Sequence, residues 1–191
     1  MISVTEAIKV IQNGGIVVYP TDTVWGMGCD PFNQTAVEKL FQVKGKEKDG
    51  LSIMLNDCEI IQDYCEVNQT AEKIISEFLP GPITLILGSK RNFAKGVTRN
   101  GNIAIRIPSN RTALELAKGN PIVTTSANKH ESEIAKDIDE AIQIFGSQCS
   151  YLDGEKPMGV ESTIIDLTKN KPEIKRIGAL YSSILEGIIE F

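Results

Sequence analysis

The stretch IVVYPTDTVWGMGCDP at residues 16–31 decides the fold, because it joins a short apolar run to a turn-rich segment. The apolar run, Ile16–Tyr19, includes two valines and predicts a buried strand. Thr21, Asp22 and Thr23 come directly after it. Because the carboxyl ends of strands border crevices in α/β sheets, these hydroxyls and this carboxylate can meet a small polar ligand. The alternative is a capped turn, in which the same side chains only satisfy backbone groups.

Helices and strands alternate around this stretch. Upstream, Ser3 and Glu6 form a capping box that predicts a helix ending at Gly14-Gly15. Further helices are predicted at Gln34–Val43, Ala71–Leu79, Thr112–Lys118, Ile138–Phe145 and the end of the chain. Further strands are predicted at Leu51–Leu55, Ile83–Leu87, Ile103–Ile107, Ile122–Thr125, Ser162–Leu167 and Glu173–Ile177. Their irregular spacing favours an α/β protein with a mixed sheet, and the lack of repeats and linkers predicts a single domain over residues 1–191.

The composition is ordinary for a soluble globular protein. Of the 191 residues, 41% are hydrophobic and 24% are charged, and no apolar run reaches the ~20 residues of a transmembrane helix. The N-terminus lacks the basic and apolar regions of a signal peptide, so we expect a cytoplasmic protein without membrane contact. The net charge of −5 provides no global attraction to nucleic acid.

Cysteine and histidine usage excludes several catalytic classes. The four cysteines form no CxxC pair, and with the single histidine, His130, they give no zinc-site pattern. HExxH metalloproteases are excluded, and a Ser-His-Asp hydrolase would depend entirely on His130 in a polar loop. We expect buried, inert thiols and no metal site built from protein ligands.

Two basic clusters are the local candidates for contact with polyanions. Lys44, Lys46 and Lys48 alternate at the end of a predicted helix, and Gly45 permits close backbone approach, so this cluster can grip phosphates. The plain alternative is that the lysines complement the negative end of the helix. Neither GxxxxGK[ST] nor GxGxxG occurs, so an ATP site would lack the two commonest signatures. The second cluster is interpreted as a solvated loop and contains Lys90, Arg91, Lys95 and Arg99.

Two more polar segments lie at the ends of predicted strands. TTSAN at residues 124–128 follows one strand, and GVEST at residues 159–163 opens another. A capped turn is the plain alternative for the first. Arg106 lies inside the apolar strand IAIRIP, so its charge needs a partner, either a carboxylate ligand or a structural salt bridge. Together these features predict a pocket for a small anionic ligand, with a nucleotide as one option.

Seven segments, in order along essentially the whole chain, resemble the YrdC-like family of threonylcarbamoyl-AMP synthases, in its single-domain type. They are YPTDTVWGMGCDP, the KGK segment, LPGPITLIL, IAIRIP, TTSAN, GVESTIIDL and RIGA. The resemblance implies an α/β fold with a twisted, open mixed sheet, flanking helices and a large concave, positively lined cavity.

The resemblance also implies a reaction. Threonine and bicarbonate (or carbon dioxide) would give a carbamate, which attacks the α-phosphate of ATP and expels pyrophosphate. Mg²⁺ is expected with ATP, held mainly by phosphate oxygens and water. The product would pass to a separate tRNA threonylcarbamoyl transferase, and direct contact with tRNA is left open.

Individual residues receive roles from the same resemblance. Lys44 and Lys46 would hold the ATP phosphates, and Arg106 would hold the threonine carboxylate as a bidentate pair. The threonine site would also contain Thr23, Ser126 and Ser162, and the ATP site Asn102, Ser126, Asn128 and Arg176. The catalytic positions would be Lys44, Lys46, Ser126 and Asn128, acting through positioning and positive charge without a covalent intermediate.

The chain departs from the family pattern mainly around the expected ATP site. The family usually has KxR and a proline where this chain has Lys44, Lys46 and Glu47, and the loop to Leu51 is shorter here. A glycine often follows SAN, where this chain continues with KHES at residues 129–132. Many relatives carry a further C-terminal domain, which we expect this chain to lack.

Two other functions remain open at this point. One is an RNA-binding module of the same fold without catalysis, which the sequence pI near 5.0 disfavours. The other is a carbamoyl-transfer enzyme of the hydrogenase-maturation type. Such enzymes usually carry zinc-finger and acylphosphatase parts, and neither is found in this sequence.

Overall fold

The computed structural model describes residues 1–45, 51–169 and 171–181. Lys46, Glu47, Lys48 and the predicted C-terminal helix lie outside these residues. The described helices are α1 (Val4–Gln12), α2 (Gln34–Lys44), α3 (Ile61–Tyr64), α4 (Gln69–Phe78), α5 (Arg111–Leu116) and α6 (Ile138–Phe145). The described strands are β1 (Val17–Tyr19), β2 (Gly26–Gly28), β3 (Ser52–Met54), β4 (Ile83–Gly88), β5 (Asn102–Arg106), β6 (Ile122–Ser126), β7 (Ser150–Tyr151), β8 (Thr163–Asp166) and β9 (Glu173–Arg176).

The helices begin and end where the sequence provides caps. The capping box of α1 is confirmed, since Ser3 accepts from the backbone of Glu6 and the Glu6 carboxylate accepts from the backbone of Ser3. Asn33 caps the start of α2, and Gly45 ends it in the left-handed conformation with φ of 65°. None of the described helices is long and apolar enough to cross a membrane.

The described strands form one mixed sheet, as predicted. Their order is β7-β1-β2-β6-β3-β5-β4-β8-β9. The pairs β1/β7, β3/β5 and β4/β8 are parallel, and the remaining neighbours are antiparallel. This arrangement brings chain segments that are distant in sequence to neighbouring positions on one sheet.

The core covers both faces of the sheet where the opening stretch lies. Ile16 and Val18 belong to the larger apolar cluster, which contains the buried apolar residues of α2. Val17 and Tyr19 belong to a smaller cluster with α1 and α5. The alternation follows the two-residue period of a strand, so Ile16–Tyr19 is apolar throughout because neither face meets water.

Strand β2 was not predicted, since its sequence GMG lacks β-branched residues and contains two glycines. The structure gives the reason for one of them. A Cβ at Gly28 would lie 1.8 Å from the carbonyl oxygen of Val123, so only glycine allows the backbones to approach this closely. The short elements α3 and β7 were also missed.

The expectation about the cysteines holds for three of the four. Cys29, Cys65 and Cys149 are buried, and burial raises the pKa of each thiol to about 12. Cys58 is only half-buried, because it precedes α3 in a surface turn, and burial raises its pKa less.

The second basic cluster is exposed but not free of contacts. The Lys90 ammonium donates to the carbonyl of Gln62 (3.0 Å), and Arg91 Nε donates to that of Asp63 (2.8 Å). The Arg91 guanidinium lies over the Tyr64 ring. These contacts attach the loop to α3, consistent with a surface loop.

Candidate functional site

The predicted polar segments meet at one cavity of about 320 Å³. Its walls come from the loop after β1, the end of α2, the segment before β8, and strands β2, β3, β4, β5, β6, β8 and β9. The cationic side chains that line it are Lys44, Arg106 and Arg176, and Glu161 is the one carboxylate among the described lining residues. A protein with net negative charge therefore concentrates positive charge at this cavity, as an anionic ligand requires.

The loop after β1 forms the capped turn that was one of the two alternatives, and its threonines also line the cavity. The Thr21 hydroxyl accepts from the backbone N–H of Thr23 (3.2 Å) and of Val24 (3.3 Å), which makes a capped turn. The same turn holds the Thr23 hydroxyl 3.0 Å from Arg106 Nη1, at the cavity. Both threonines are buried.

Arg106, at the end of β5, is the buried cation of the site. Its Nη2 forms a salt bridge of 2.5 Å with Asp22 Oδ1, and the two side chains are 8% and 6% exposed. Burial lowers the pKa of the guanidinium, and the carboxylate of Asp22 opposes this effect. Nε has no hydrogen-bond partner among the described residues. Because a guanidinium has five N–H groups, Arg106 can still bind a carboxylate in the cavity.

A second polar group connects β4, the segment before β8 and β9. The hydroxyls of Thr84 and Ser162 are 2.8 Å apart. Arg176 donates to the Ser162 carbonyl through Nε (3.0 Å) and to the Glu161 carboxylate through Nη1 (2.6 Å). These contacts fix the orientation of Ser162 at the cavity wall.

Lys44 differs from a solvated lysine at a helix end. It is 5% exposed, and its ammonium donates to Ser126 O (2.7 Å), Asn128 O (3.1 Å) and Asn128 Oδ1 (3.0 Å). An ammonium has three N–H donors, so a phosphate would have to share or replace at least one of these acceptors. These hydrogen bonds connect the end of α2 to the segment after β6, and Lys44 lines the cavity.

The segment after β6 is held by further hydrogen bonds. Ser126 Oγ donates to Asn128 Oδ1 (2.7 Å), and Asn128 Nδ2 donates to the carbonyl of Ser132 (2.8 Å). The backbone N–H of His130 donates to the Lys44 carbonyl (2.8 Å), and His130 lines the cavity. The departure from the family pattern after SAN thus contributes to the site itself.

The described residues offer no protein cage for a metal ion. No cluster of three His, Cys, Asp or Glu side chains occurs among them. The carboxylate of Glu161 on the cavity wall is paired with Arg176, and that of Asp22 behind the wall with Arg106.

Most predicted site residues within the described part of the chain line the cavity. They are Thr23, Lys44, Arg106, Ser126, Asn128, Ser162 and Arg176. Asn102 is not among the lining residues and pairs through its backbone with Arg99 at the start of β5. Lys46 lies outside the described residues.

Sequence reasoning missed Thr84. It is buried and joins Ser162 in the wall. A signal was present, because Thr84 is a polar residue in the apolar strand ITLIL, just as Arg106 is in IAIRIP. Asp22 was named as a candidate, but its pairing with Arg106 was not foreseen.

Comparison with known proteins places these residues in a family context. The Sua5/YciO/YrdC family model, described as "Telomere recombination", matches residues 9–178. A threonylcarbamoyl-AMP synthase of Pyrococcus abyssi is 33% identical over 188 residues, which are 94% of this chain and 55% of that protein. A threonylcarbamoyl-AMP synthase of Thiobacillus denitrificans is 29% identical over 169 residues, covering 84% of this chain and 89% of that protein.

Solved structures agree with this comparison. The crystal structure of Pyrococcus abyssi Sua5 complexed with L-threonine superposes with a TM-score of 0.90 at 30% identity, over 97% of this chain and 57% of that one. This chain therefore spans little more than half the length of its Pyrococcus relatives.

Proposed function

The chain belongs to the Sua5/YciO/YrdC family, and from that premise we propose that it is an L-threonylcarbamoyladenylate synthase. It forms threonylcarbamoyl-AMP and pyrophosphate from L-threonine, bicarbonate (or carbon dioxide) and ATP. The enzyme class is a nucleotidyltransferase. The observation that carries the proposal is the single cavity that combines a buried arginine beside hydroxyls with a second cation beside the Ser126–Asn128 segment.

The threonine end contains Arg106, Thr23 and Ser162. The guanidinium of Arg106 binds the α-carboxylate of threonine through its remaining N–H groups. The hydroxyls of Thr23 and Ser162 are available to the polar atoms of the amino acid, since both line the cavity. This arrangement leaves the amine of threonine to react with bicarbonate, which forms the N–C bond of the carbamate and releases water.

The nucleotide end contains Lys44, Ser126 and Asn128, with Arg176 as a further contact. A carbamate oxygen attacks the α-phosphorus of ATP, the bond from that phosphorus to the bridging oxygen breaks, and pyrophosphate leaves. The carbamate is already a nucleophile, so the protein has to align it and to stabilise the negative charge on the phosphates. The buried ammonium of Lys44 supplies such charge.

If Mg²⁺ accompanies ATP, its charge would help to neutralise the phosphates, and we expect phosphate oxygens and water to hold it. Glu161 is the one carboxylate among the described lining residues, and its pairing with Arg176 would have to change for it to bind a metal ion. The product then passes to a tRNA threonylcarbamoyl transferase in the cytoplasm.

The two alternative functions receive less support. Relatives named threonylcarbamoyl-AMP synthase match over most of this chain, which favours the synthase over a hydrogenase-maturation enzyme. A binding module for RNA without catalysis does not require a buried arginine–hydroxyl group inside a cavity of this kind.

The test is pyrophosphate release from ATP and bicarbonate by the purified chain, measured with and without L-threonine. We expect release that depends on L-threonine and is much weaker with L-serine or glycine. Mass spectrometry of the product would identify threonylcarbamoyl-AMP. Release that is independent of any amino acid, or no release while ATP and threonine both bind, would contradict the proposal.

A further inference from the structure

We propose that Asp22 is a positioning residue that orients the Arg106 guanidinium for the carboxylate of the amino-acid substrate. This inference rests on the proposed function and adds a residue to it. Asp22 does not touch the cavity that Arg106 lines, so it acts through Arg106 and not on the substrate. It lines a separate outer cavity, together with Glu155 and Lys156.

The position of the ion pair between two cavities is the first observation. Arg106 forms part of the wall on the inner side, and Asp22 part of the wall on the outer side. Thr21 lines both cavities. The salt bridge therefore crosses the wall, and the carboxylate holds the guanidinium from behind.

The incomplete pairing is the second observation. A bidentate pair would engage both Asp22 oxygens, but only Oδ1 is bonded, to Arg106 Nη2. Oδ2 and Arg106 Nε are both buried without a hydrogen-bond partner among the described residues. The pair is therefore monodentate, and Asp22 occupies only part of the hydrogen-bonding capacity of the guanidinium.

The two terminal nitrogens of Arg106 each donate to a different acceptor, one to Thr23 and the other to Asp22. Thr23 Oγ1 accepts from Nη1 at 3.0 Å, and Asp22 Oδ1 accepts from Nη2. Each terminal nitrogen carries two N–H groups, so each can donate a further hydrogen bond to a carboxylate in the cavity. An arginine side chain has several rotatable bonds, and two anchors remove that freedom before the substrate arrives.

The loop that carries Asp22 is itself fixed by backbone contacts. The N–H of Met158 donates to the Asp22 carbonyl (3.2 Å), and that of Gly159 donates to the Thr23 carbonyl (2.8 Å). The segment that leads to Ser162 therefore holds the loop in place. Asp22 connects this support to Arg106.

If charge alone mattered, removing the Asp22 carboxylate would strengthen the binding of an anionic substrate. Without Asp22 the positive charge of Arg106 is no longer compensated, and attraction to any anion rises. We expect orientation to dominate, because the cavity is open to water that screens the incoming carboxylate, whereas the Asp22 contact is buried.

The experiment compares Asp22→Asn with the wild-type chain, and Glu155→Gln is the matched control. Glu155 is an exposed carboxylate on the same outer cavity, and no hydrogen bond joins it to Arg106. The dissociation constants of L-threonine and of L-threoninamide, which lacks the carboxylate, are measured by calorimetry. ATP binding and thermal unfolding show whether each variant is folded.

We expect Asp22→Asn to weaken L-threonine binding about 10-fold, while L-threoninamide and ATP bind as in the wild type. Asp22→Glu should restore part of the loss, and Glu155→Gln should change nothing. Equal or tighter L-threonine binding by Asp22→Asn would overturn the inference, and so would an equal loss for threonine and its amide. If the wild type itself does not prefer L-threonine to the amide, the proposed function fails first.

Discussion

Replacing Lys44 by methionine tests whether this lysine holds the site together before any substrate binds. Lys44→Met keeps most of the apolar stem but removes the ammonium that contacts Ser126 and Asn128. We expect the free protein to lose stability and the KM for ATP to rise, because one change removes both the fastening and the charge.

The magnitude follows from the three hydrogen bonds. Each bond to a charged group contributes about 1.5–3 kcal/mol, but the three share one ammonium, and methionine avoids the cost of burying a charge. A net loss of about 2–4 kcal/mol in the free energy of unfolding is the expected range. For a chain of this size each kcal/mol lowers Tm by about 2–4 °C, so Tm should fall by at least about 4 °C.

Lys39→Met is the matched control, since Lys39 is an exposed lysine on the same helix and loses the same charge. Both variants are compared by differential scanning calorimetry without ligands and by pyrophosphate release at limiting ATP. The reasoning is refuted if Lys44→Met and Lys39→Met have the same Tm. It is also refuted if Lys44→Met leaves the rate of pyrophosphate release at limiting ATP unchanged. Lys44 would then only complement the negative end of α2.

Three further outcomes are expected. Arg106→Ala should raise the KM for L-threonine about 100-fold and leave ATP binding nearly intact, as measured by steady-state kinetics and ATP titration. An equal loss of threonine and ATP affinity would contradict the role of Arg106 in binding the threonine carboxylate. Cys58 alone should react quickly with a thiol reagent in the native protein, since burial raises the pKa of the other thiols to about 12. The pKa of an unfolded thiol is near 9.0, so above that pH the unfolded state loses protons that the folded state keeps. The free energy of unfolding should therefore fall as the pH rises above 9.0. Gly28→Ala should prevent native folding, seen by circular dichroism, because its Cβ would meet the Val123 carbonyl oxygen.

The sequence predicted the architecture well because its signals are local. The helices α1, α2 and α6 and the strands β4, β5 and β6 appear within a few residues of their predicted bounds, since capping residues and apolar periodicity act over one or two turns. The same reasoning failed at β2, where the close approach of two backbones, and not strand propensity, determines the residues.

The site was predicted in its members but not in its contacts. Arg106 was known to need a partner, and the structure supplies Asp22 as a salt bridge while leaving N–H groups at the cavity. The pairing of Thr84 with Ser162 depends on the parallel register of β4 and β8, which places Ile83 beside Thr163. Such registers join segments far apart in the chain, so no local pattern reports them.

The order of the strands bears on how the protein is made on the ribosome. A nascent chain that has emerged as far as Ser132 already contains Lys44, Ser126 and Asn128, and β2, β3 and β6 can pair. The cavity wall that contains Thr84 and Ser162 cannot form until β8 is synthesised, because β8 pairs with β4. Until then Thr84 is an unpartnered hydroxyl on an unfinished sheet edge, which other chains can reach. Slow translation after β6 would therefore lengthen the period in which this edge can pair with another chain.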